Sequence, residues 1–193
     1  MALVLVAFVV IVGCGTEGPV RLSKATSLTP EQEASLVAVM ALIEAASTAY
    51  KVPPPNVIVA DYAGETFGGA HWGGSIMFPA RMLTSPSRDT IAAHEMGHYV
   101  LGHMHPSNRT PQEKEHAANI EAVRILQVGT GMTEEDALRE VLIILRRSSR
   151  AVAAGAPVAQ GHADPCEEIH AVVAAYPAQG VWASTYECAP QGR

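Results

Sequence analysis

The sequence predicts an α+β fold that is mostly helical, with a small mixed or antiparallel sheet of two to four strands. Two helix-start motifs, 29–32 and 110–113, indicate helices, because a capping threonine is followed by proline and, three residues after the cap, by Gln or Glu. Two short apolar runs, 56–62 and 75–78, indicate strands. Pro79 follows the second run and favours a position at the sheet edge.

Helical patterns cover most of the chain after residue 28. Apolar residues recur at helical spacing in the first of them, and the prolines at 53–55 end it. Residues 148–164 are rich in Ala, Gly and Ser and are expected to be loose. The predicted helices cover about 29–50, 87–103, 110–128, 133–147 and 165–176.

Composition and charge exclude several classes of protein. The chain has 193 residues, of which 48% are hydrophobic, so it is long and apolar enough to bury a core and is not a fully disordered chain. The formal net charge is −6 and no basic patch stands out, which argues against nucleic-acid binding as the main function. The long apolar run is at the N-terminus, which excludes a protein with several membrane spans.

The N-terminus has the pattern of an export signal. Residues 2–12 are uninterruptedly apolar, too few to cross about 30 Å of hydrocarbon as a helix but enough for the core of a signal peptide. The run ends in Gly13-Cys14, which resembles a bacterial lipobox, so residues 1–14 are predicted to be a signal whose Cys14 is lipidated. Residues 15–28 are then a tether that holds the protein, exported, at a bacterial membrane.

Other interpretations of this segment remain open. No Lys or Arg precedes the apolar run, although signals normally carry positive charge there. The alternatives for residues 2–12 are a signal or anchor without lipid and a buried β-strand, since the run is rich in β-branched residues. A cytoplasmic location is the alternative to export. The mass of the mature N-terminus distinguishes the two, since a diacylated Cys14 means export and an intact Met1 means cytosol.

Cysteine usage favours an oxidising compartment. If Cys14 carries lipid, an even pair remains, Cys166 and Cys188. We expect this pair to form a disulfide that closes a C-terminal extension, residues 151–193, beyond a main domain at 29–150. The alternative is two unpaired thiols in a reducing cytosol.

The segment His94-Glu95-Met96-Gly97-His98 carries the clearest chemical signal. On a helix, His94 and His98 share a face and can offer two imidazoles to one metal ion. Glu95 lies beside the first ligand, where it can act on a water at the metal. Gly97 allows another segment to approach closely. The alternative is a helix whose histidines only pack or face solvent.

A third ligand is needed for a catalytic zinc site. The metzincin arrangement fails, because Leu101 and Met104 stand where Gly and His are required. The other common arrangement uses a glutamate on a second helix. Glu115 is favoured because Asn119 lies one turn further on the same face, where it can hydrogen-bond a ligand histidine. The glutamates considered are Glu113, Glu115 and Glu121.

The segments HEMGH and EHAANIEAVRIL together resemble the gluzincin metallopeptidases. Two groups are similar: the membrane peptidases related to the CAAX prenyl protease and the heat-shock membrane protease, and the small zinc peptidases that cleave phage-type repressors. The resemblance covers about residues 56–128 and implies a zincin-like domain with one Zn²⁺. It implies Glu115 as the third ligand and Asn119 as a residue that supports the site.

The resemblance also implies where substrate binds. In those families a strand before the active-site helix lines the cleft, and an extended peptide pairs with its edge. The matching residues here are Gly74, Ser75, Ile76 and Met77. The chain departs from the membrane peptidases in lacking their spanning helices and in having a lipobox-like start.

These observations predict a zinc metallopeptidase that hydrolyses protein or peptide, using a zinc-activated water with Glu95 as general base. The alternatives are a cell-surface binding module with a non-catalytic zinc site, a cytosolic peptidase that cleaves a regulator, and a zinc hydrolase that is not a peptidase. An oxyanion donor is also required, and the sequence does not choose between Tyr62, His71, Tyr99, His103, His105 and His116.

Overall fold

The computed structural model describes the backbone of residues 22–24, 27–60, 69–71, 74–103, 105–158, 162–179, 183 and 188. Within these residues it contains five α-helices and a four-stranded sheet. The predicted α+β class, mostly helical with a small mixed sheet, is confirmed. The predicted signal with Cys14, and Tyr62, lie outside the described residues.

The sheet is mixed and its strand order is β1-β2-β4-β3. β1 pairs in parallel with β2, β2 pairs in parallel with β4, and β3 pairs antiparallel with β4. Alternate residues of β2 and β4 are buried, as expected for strands with one face on a core. The strands are β1 (Leu22–Lys24), β2 (Asn56–Ala60), β3 (Gly69–His71) and β4 (Ser75–Pro79).

Two sequence predictions about the sheet are wrong. Part of the predicted tether, Leu22–Lys24, is a strand, because its backbone satisfies the otherwise unpaired edge of β2. Pro79 ends a strand that lies inside the sheet, between β2 and β3, rather than at its edge. The first pairing joins segments that are distant along the chain, and in the second β3 is a three-residue strand without an apolar pattern of its own.

The five helices begin close to their predicted starts. Both predicted capping boxes are present, Thr29 with Gln32 and Thr110 with Glu113. The second helix ends three residues earlier than predicted, and the fourth continues six residues beyond Arg147, through the predicted domain boundary at 150. The helices are α1 (Pro30–Tyr50), α2 (Arg88–Val100), α3 (Pro111–Thr130), α4 (Glu134–Ala153) and α5 (Pro165–Ala175).

Helix α1 is, among the described residues, the one helix long and apolar enough to cross a membrane. That property alone is weak support for a membrane span, since core helices share it. Here its apolar side chains pack against α2 and α3 in the core. Among them, Val39, Ile43 and Ala46 are almost completely buried.

The C-terminal segment joins the same core. Helix α5 packs against both α3 and α4, and Ile169 and Val172 are buried in the contact. Just after α5, the hydroxyl of Tyr176 donates a hydrogen bond of 2.9 Å to the carbonyl of Ile120 on α3. Helix α5 is therefore placed directly behind the helix that carries Glu115.

Gly97 sets the separation of α2 and α3. A Cβ at this position would lie 2.9 Å from the carbonyl oxygen of Ala118 and 3.2 Å from its Cα, so backbone would have to move. We expect Gly97→Ala to lower the free energy of unfolding by about 1–3 kcal/mol, despite alanine's better helix propensity. Urea denaturation measures this, with the exposed Gln112→Ala as control. Unchanged stability of Gly97→Ala would show that the helices are not in close contact here.

Candidate metal centre

Three side chains from two helices converge on one point. His94 and His98 lie one turn apart on α2, and Glu115 approaches them from α3. The two Nε2 atoms are 3.1 Å apart. Oε2 of Glu115 lies 3.2 Å from His94 Nε2, and its Oε1 lies 3.2 Å from His98 Nε2. The three residues could hold one metal ion.

The donor atoms fit a small divalent cation. A tetrahedral metal with bonds of about 2.0–2.1 Å separates its ligand atoms by about 3.3 Å, close to the separations found here. Oε2 of Glu115 is buried and has no hydrogen-bond partner of good geometry among the described residues. A buried carboxylate oxygen without such a partner is costly, and a cation at this point would satisfy it.

Asn119 fixes the orientation of His94. Its Oδ1 lies 2.9 Å from His94 Nδ1 and can only accept, so Nδ1 carries the proton. The Nε2 lone pair is then free to face the metal. Asn119 is 6% exposed and lies one turn after Glu115 on α3, at the position that the sequence predicts for such a residue.

His103 has the corresponding position behind His98. The two Nδ1 atoms are 3.0 Å apart, so one of them donates to the other. Burial and the positive charges of His98, Arg109 and Lys114 lower the pKa of His103 to about 4, which keeps it neutral. Metal binding through His98 Nε2 requires His98 Nδ1 to donate and His103 to accept. His103 is one of the residues considered as oxyanion donors in the sequence analysis, but its ring contacts Nδ1 of His98, the nitrogen that faces away from the other two ligands.

The charges at the site favour a cation. Burial opposes ionisation of Glu115, but the imidazoles of His94 and His98, each 3.2 Å from one of its oxygens, hold its pKa well below the usual range. Burial likewise opposes protonation of His94, but the close carboxylate of Glu115 and the charge of Glu95 raise its pKa to about 9. Burial lowers the pKa of His98. Without metal, therefore, Glu115 is ionised and the imidazole of His94 is protonated at both nitrogens at neutral pH.

Glu95 is buried beside the first ligand. It is 5% exposed, and its negative charge contributes to the raised pKa of His94. Glu95 therefore adds a buried negative charge beside His94.

Two residues near the centre were not predicted from the sequence. His162 Nδ1 lies 3.3 Å from Glu115 Oε2 and 3.4 Å from Oε1 of Glu168, a residue of α5 that is 3% exposed. Nδ2 of Asn119 donates to Glu168 Oε2 over 3.4 Å. The Asp164-Pro165 pair marks the start of α5, but nothing local shows that this helix docks behind α3.

The other glutamates considered as ligands bind elsewhere. Glu113 accepts a hydrogen bond of 2.6 Å from the backbone of Thr110 and caps α3. Glu121 accepts from Tyr50 of α1 and pairs with Arg124. Glu115 is therefore the one of the three that reaches the histidines.

Among the remaining oxyanion candidates, none lies at the ligand atoms in the described part of the chain. Tyr99 donates from its hydroxyl to the carbonyl of Pro53 over 2.8 Å. His105 is exposed beyond the end of α2, and His116 has a buried Nε2 without a hydrogen-bond partner. Of His71 the structure describes the backbone, in β3, and Tyr62 is outside the described residues.

The predicted substrate edge at Gly74, Ser75, Ile76 and Met77 is wrong. Strand β4 is paired on both sides, and β3 covers the edge that was expected to be open, with Ala70 opposite Ile76. The terminal strand on this side of the sheet is β3, which packs against α2. An antiparallel strand formed by residues 69–71 carries no local signal beyond its glycines, which explains the error.

The predicted disulfide is not formed. Cys166 and Cys188 are free thiols, and Sγ of Cys166 lies 3.3 Å from the hydroxyl of Ser149. Burial, together with the neighbouring Cys166, raises the pKa of Cys188 to about 12. The two thiols are thus neighbours, as a pairing would require, but no bond joins them.

Comparison with protein-family models, with curated proteins and with solved structures finds no match for this chain. The resemblance to gluzincins therefore depends on the two helical segments quoted above. The identification of His94, His98 and Glu115 as a candidate metal centre depends on their distances in this structure.

Metal binding is expected to release about one proton per site at pH 7.0. His94 is protonated below its pKa of about 9 and must lose that proton to bind, whereas the lowered pKa of His98 leaves it largely neutral. The apparent affinity for zinc should therefore rise as the pH is raised towards 9. Zinc titration calorimetry in buffers of different ionisation enthalpy counts the protons. Binding without proton release would contradict the charge state described here.

Proposed function

We propose that this protein is a zinc-dependent metallopeptidase. The observation that carries the proposal is the convergence of His94, His98 and Glu115 on one point at separations of 3.1–3.2 Å. Two imidazole nitrogens and one carboxylate are a known ligand set of catalytic zinc, which keeps a further coordination position open for water or substrate. A structural zinc site usually has four protein ligands, and in the described residues the group has three.

The residues divide the chemistry between them. Zinc, when bound, polarises the scissile carbonyl and makes water more acidic. Glu95 takes the proton of the attacking water and then gives it to the leaving amine, a transfer for which its burial beside His94 is suited. Asn119 holds the imidazole of His94 with Nε2 towards the metal, and the ring of His103 lies against Nδ1 of His98.

The substrate that we propose is an extended segment of protein or peptide. The sheet order ends at β3, so one edge of Gly69–His71 has no partner strand among the described residues. A peptide can pair with such an edge through its backbone. Because β3 packs against α2, a peptide bound there would run beside the helix that carries the ligands.

The location that we propose is a bacterial membrane, at the cell surface or in the periplasm, with a lipid on Cys14 as anchor. This part of the proposal is supported by the apolar run and the lipobox-like residues at the start of the sequence. The cytoplasm remains the alternative.

Removal of metal tests the function. Purified protein is expected to contain about one zinc per chain and to cleave an unfolded protein such as casein. Chelation should abolish cleavage, and zinc should restore it, because the three ligands act only through the metal. Cleavage that persists in metal-free protein would exclude the proposed chemistry. A zinc-loaded protein that cleaves nothing would favour the binding-module alternative.

A further inference from the structure

Glu168 lies behind the metal centre and contacts two separate parts of it. The side chain is 3% exposed and belongs to α5, in the C-terminal segment. Its Oε2 accepts from Asn119 Nδ2 at 3.4 Å, and its Oε1 lies 3.4 Å from His162 Nδ1.

Each of these two partners contacts a different ligand. Asn119 reaches His94 at 2.9 Å, and His162 reaches Glu115 at 3.3 Å. Glu168 is thus linked through a single intervening side chain to each of two ligands, His94 and Glu115. The paths come from different segments, since Asn119 is on α3 and His162 precedes α5.

The contact with Asn119 determines which atom faces His94. An asparagine amide can turn by half a rotation and present either oxygen or nitrogen. Because Glu168 is a carboxylate that only accepts, it holds Nδ2 on its own side and leaves Oδ1 towards His94. An oxygen at that point requires the proton on His94 Nδ1 and leaves Nε2 free for a metal.

The burial of Glu168 also needs an explanation. A buried carboxylate is costly unless it is paired, and among the described residues its contacts are Asn119 and His162, with no lysine or arginine. A helix packed only for stability would place an apolar residue here, as α5 does at the neighbouring Ile169.

We propose that Glu168 is a positioning residue of the metal centre, which orients His94 through Asn119 and Glu115 through His162. The C-terminal segment therefore completes the site and is not an accessory extension. This inference rests on the proposed function only in requiring that the centre binds zinc.

Metal affinity tests the proposal without reference to catalysis. Zinc affinity is measured by competition with a coloured chelator, and ligand geometry by the visible absorption of the cobalt-substituted protein. We expect Glu168→Ala to bind zinc roughly 10–100-fold more weakly than wild type and to change the cobalt spectrum. The exposed neighbour Glu167 offers a matched control, and Glu167→Ala should match the wild type in both measurements.

A double-variant cycle separates the two paths. Glu168→Gln can still accept from Asn119 through its amide oxygen but loses the charge that faces His162, so it should weaken binding less than Glu168→Ala. If that loss passes through His162, then Glu168→Gln combined with His162→Leu should bind zinc no more weakly than His162→Leu alone. Thermal melting of the metal-free proteins shows whether each variant folds.

The outcomes that overturn the proposal are distinct from failure of the function. Folded Glu168→Ala with wild-type affinity and spectrum would overturn it while leaving the zinc site intact. If Glu168→Ala does not fold, additive losses in the Glu168→Gln and His162→Leu cycle would overturn it. Wild-type protein that binds no zinc would overturn both the function and this inference.

Discussion

Replacing Glu115 by Gln is expected to weaken zinc binding by at least about 100-fold. Glu115 supplies the only anionic ligand of the described group and contacts both histidines at 3.2 Å. Losing a contact in the outer layer of a zinc site costs about 10–100-fold in affinity, and losing a direct ligand should cost more. Metal content after dialysis, and competition with a coloured chelator, measure the effect.

The same helix provides a matched control. Glu113 lies two residues earlier and caps α3 through Thr110. Glu113→Gln should bind zinc like wild type, because glutamine also serves in a capping box and this side chain does not reach the histidines. Full zinc occupancy in Glu115→Gln would remove Glu115 from the ligands. Loss of zinc in the control would place the third ligand elsewhere on α3.

Replacing Glu95 by Gln is expected to lower the rate of peptide hydrolysis roughly 10²- to 10⁴-fold with zinc still bound. Glutamine has nearly the same size and shape but cannot accept the proton of the attacking water. Because Glu95 is buried and the ligands are His94, His98 and Glu115, zinc content should not change. The measurement is the cleavage rate of an unfolded protein at saturating zinc.

A carboxylate at the start of α2 gives the control for this variant. Asp89 is partly exposed and pairs with Arg88 over 3.1 Å, so Asp89→Asn should retain the wild-type rate. Hydrolysis that is unchanged in Glu95→Gln would reject Glu95 as the base and leave the metal site standing. Together with the Glu115 variants, this experiment separates loss of the metal from loss of the proton transfer.

Much of the candidate site follows from local sequence. Residues four apart on a helix share a face whatever the rest of the chain does, so His94 and His98 lie on the same side of α2 once that helix forms. The same holds for Glu115 and Asn119 on α3. The threonine caps and following prolines mark the helix starts because they satisfy backbone groups within one turn.

The sheet was less predictable, because β1 pairs with a segment distant along the chain, and β3, although it directly precedes β4, is only three residues long. The expected open edge at residues 74–77 is covered by β3, and the supposed tether contributes β1. Short strands such as these have little periodicity, and their partners are chosen by unsatisfied backbone rather than by side-chain pattern. The terminal strand on this side of the sheet is therefore β3 and not β4.

The sequence by itself determined the helices, two ligands on one helical face and a carboxylate one turn before an asparagine on another. The sequence favoured Glu115 over Glu113 and Glu121, but only the tertiary structure showed that it meets the histidines and that His162 and Glu168 lie behind them. The physical reason is one of range. Helical spacing and capping act over about four residues, whereas the docking of α3 on Gly97 and of α5 on α3 depends on packing between segments far apart in the chain.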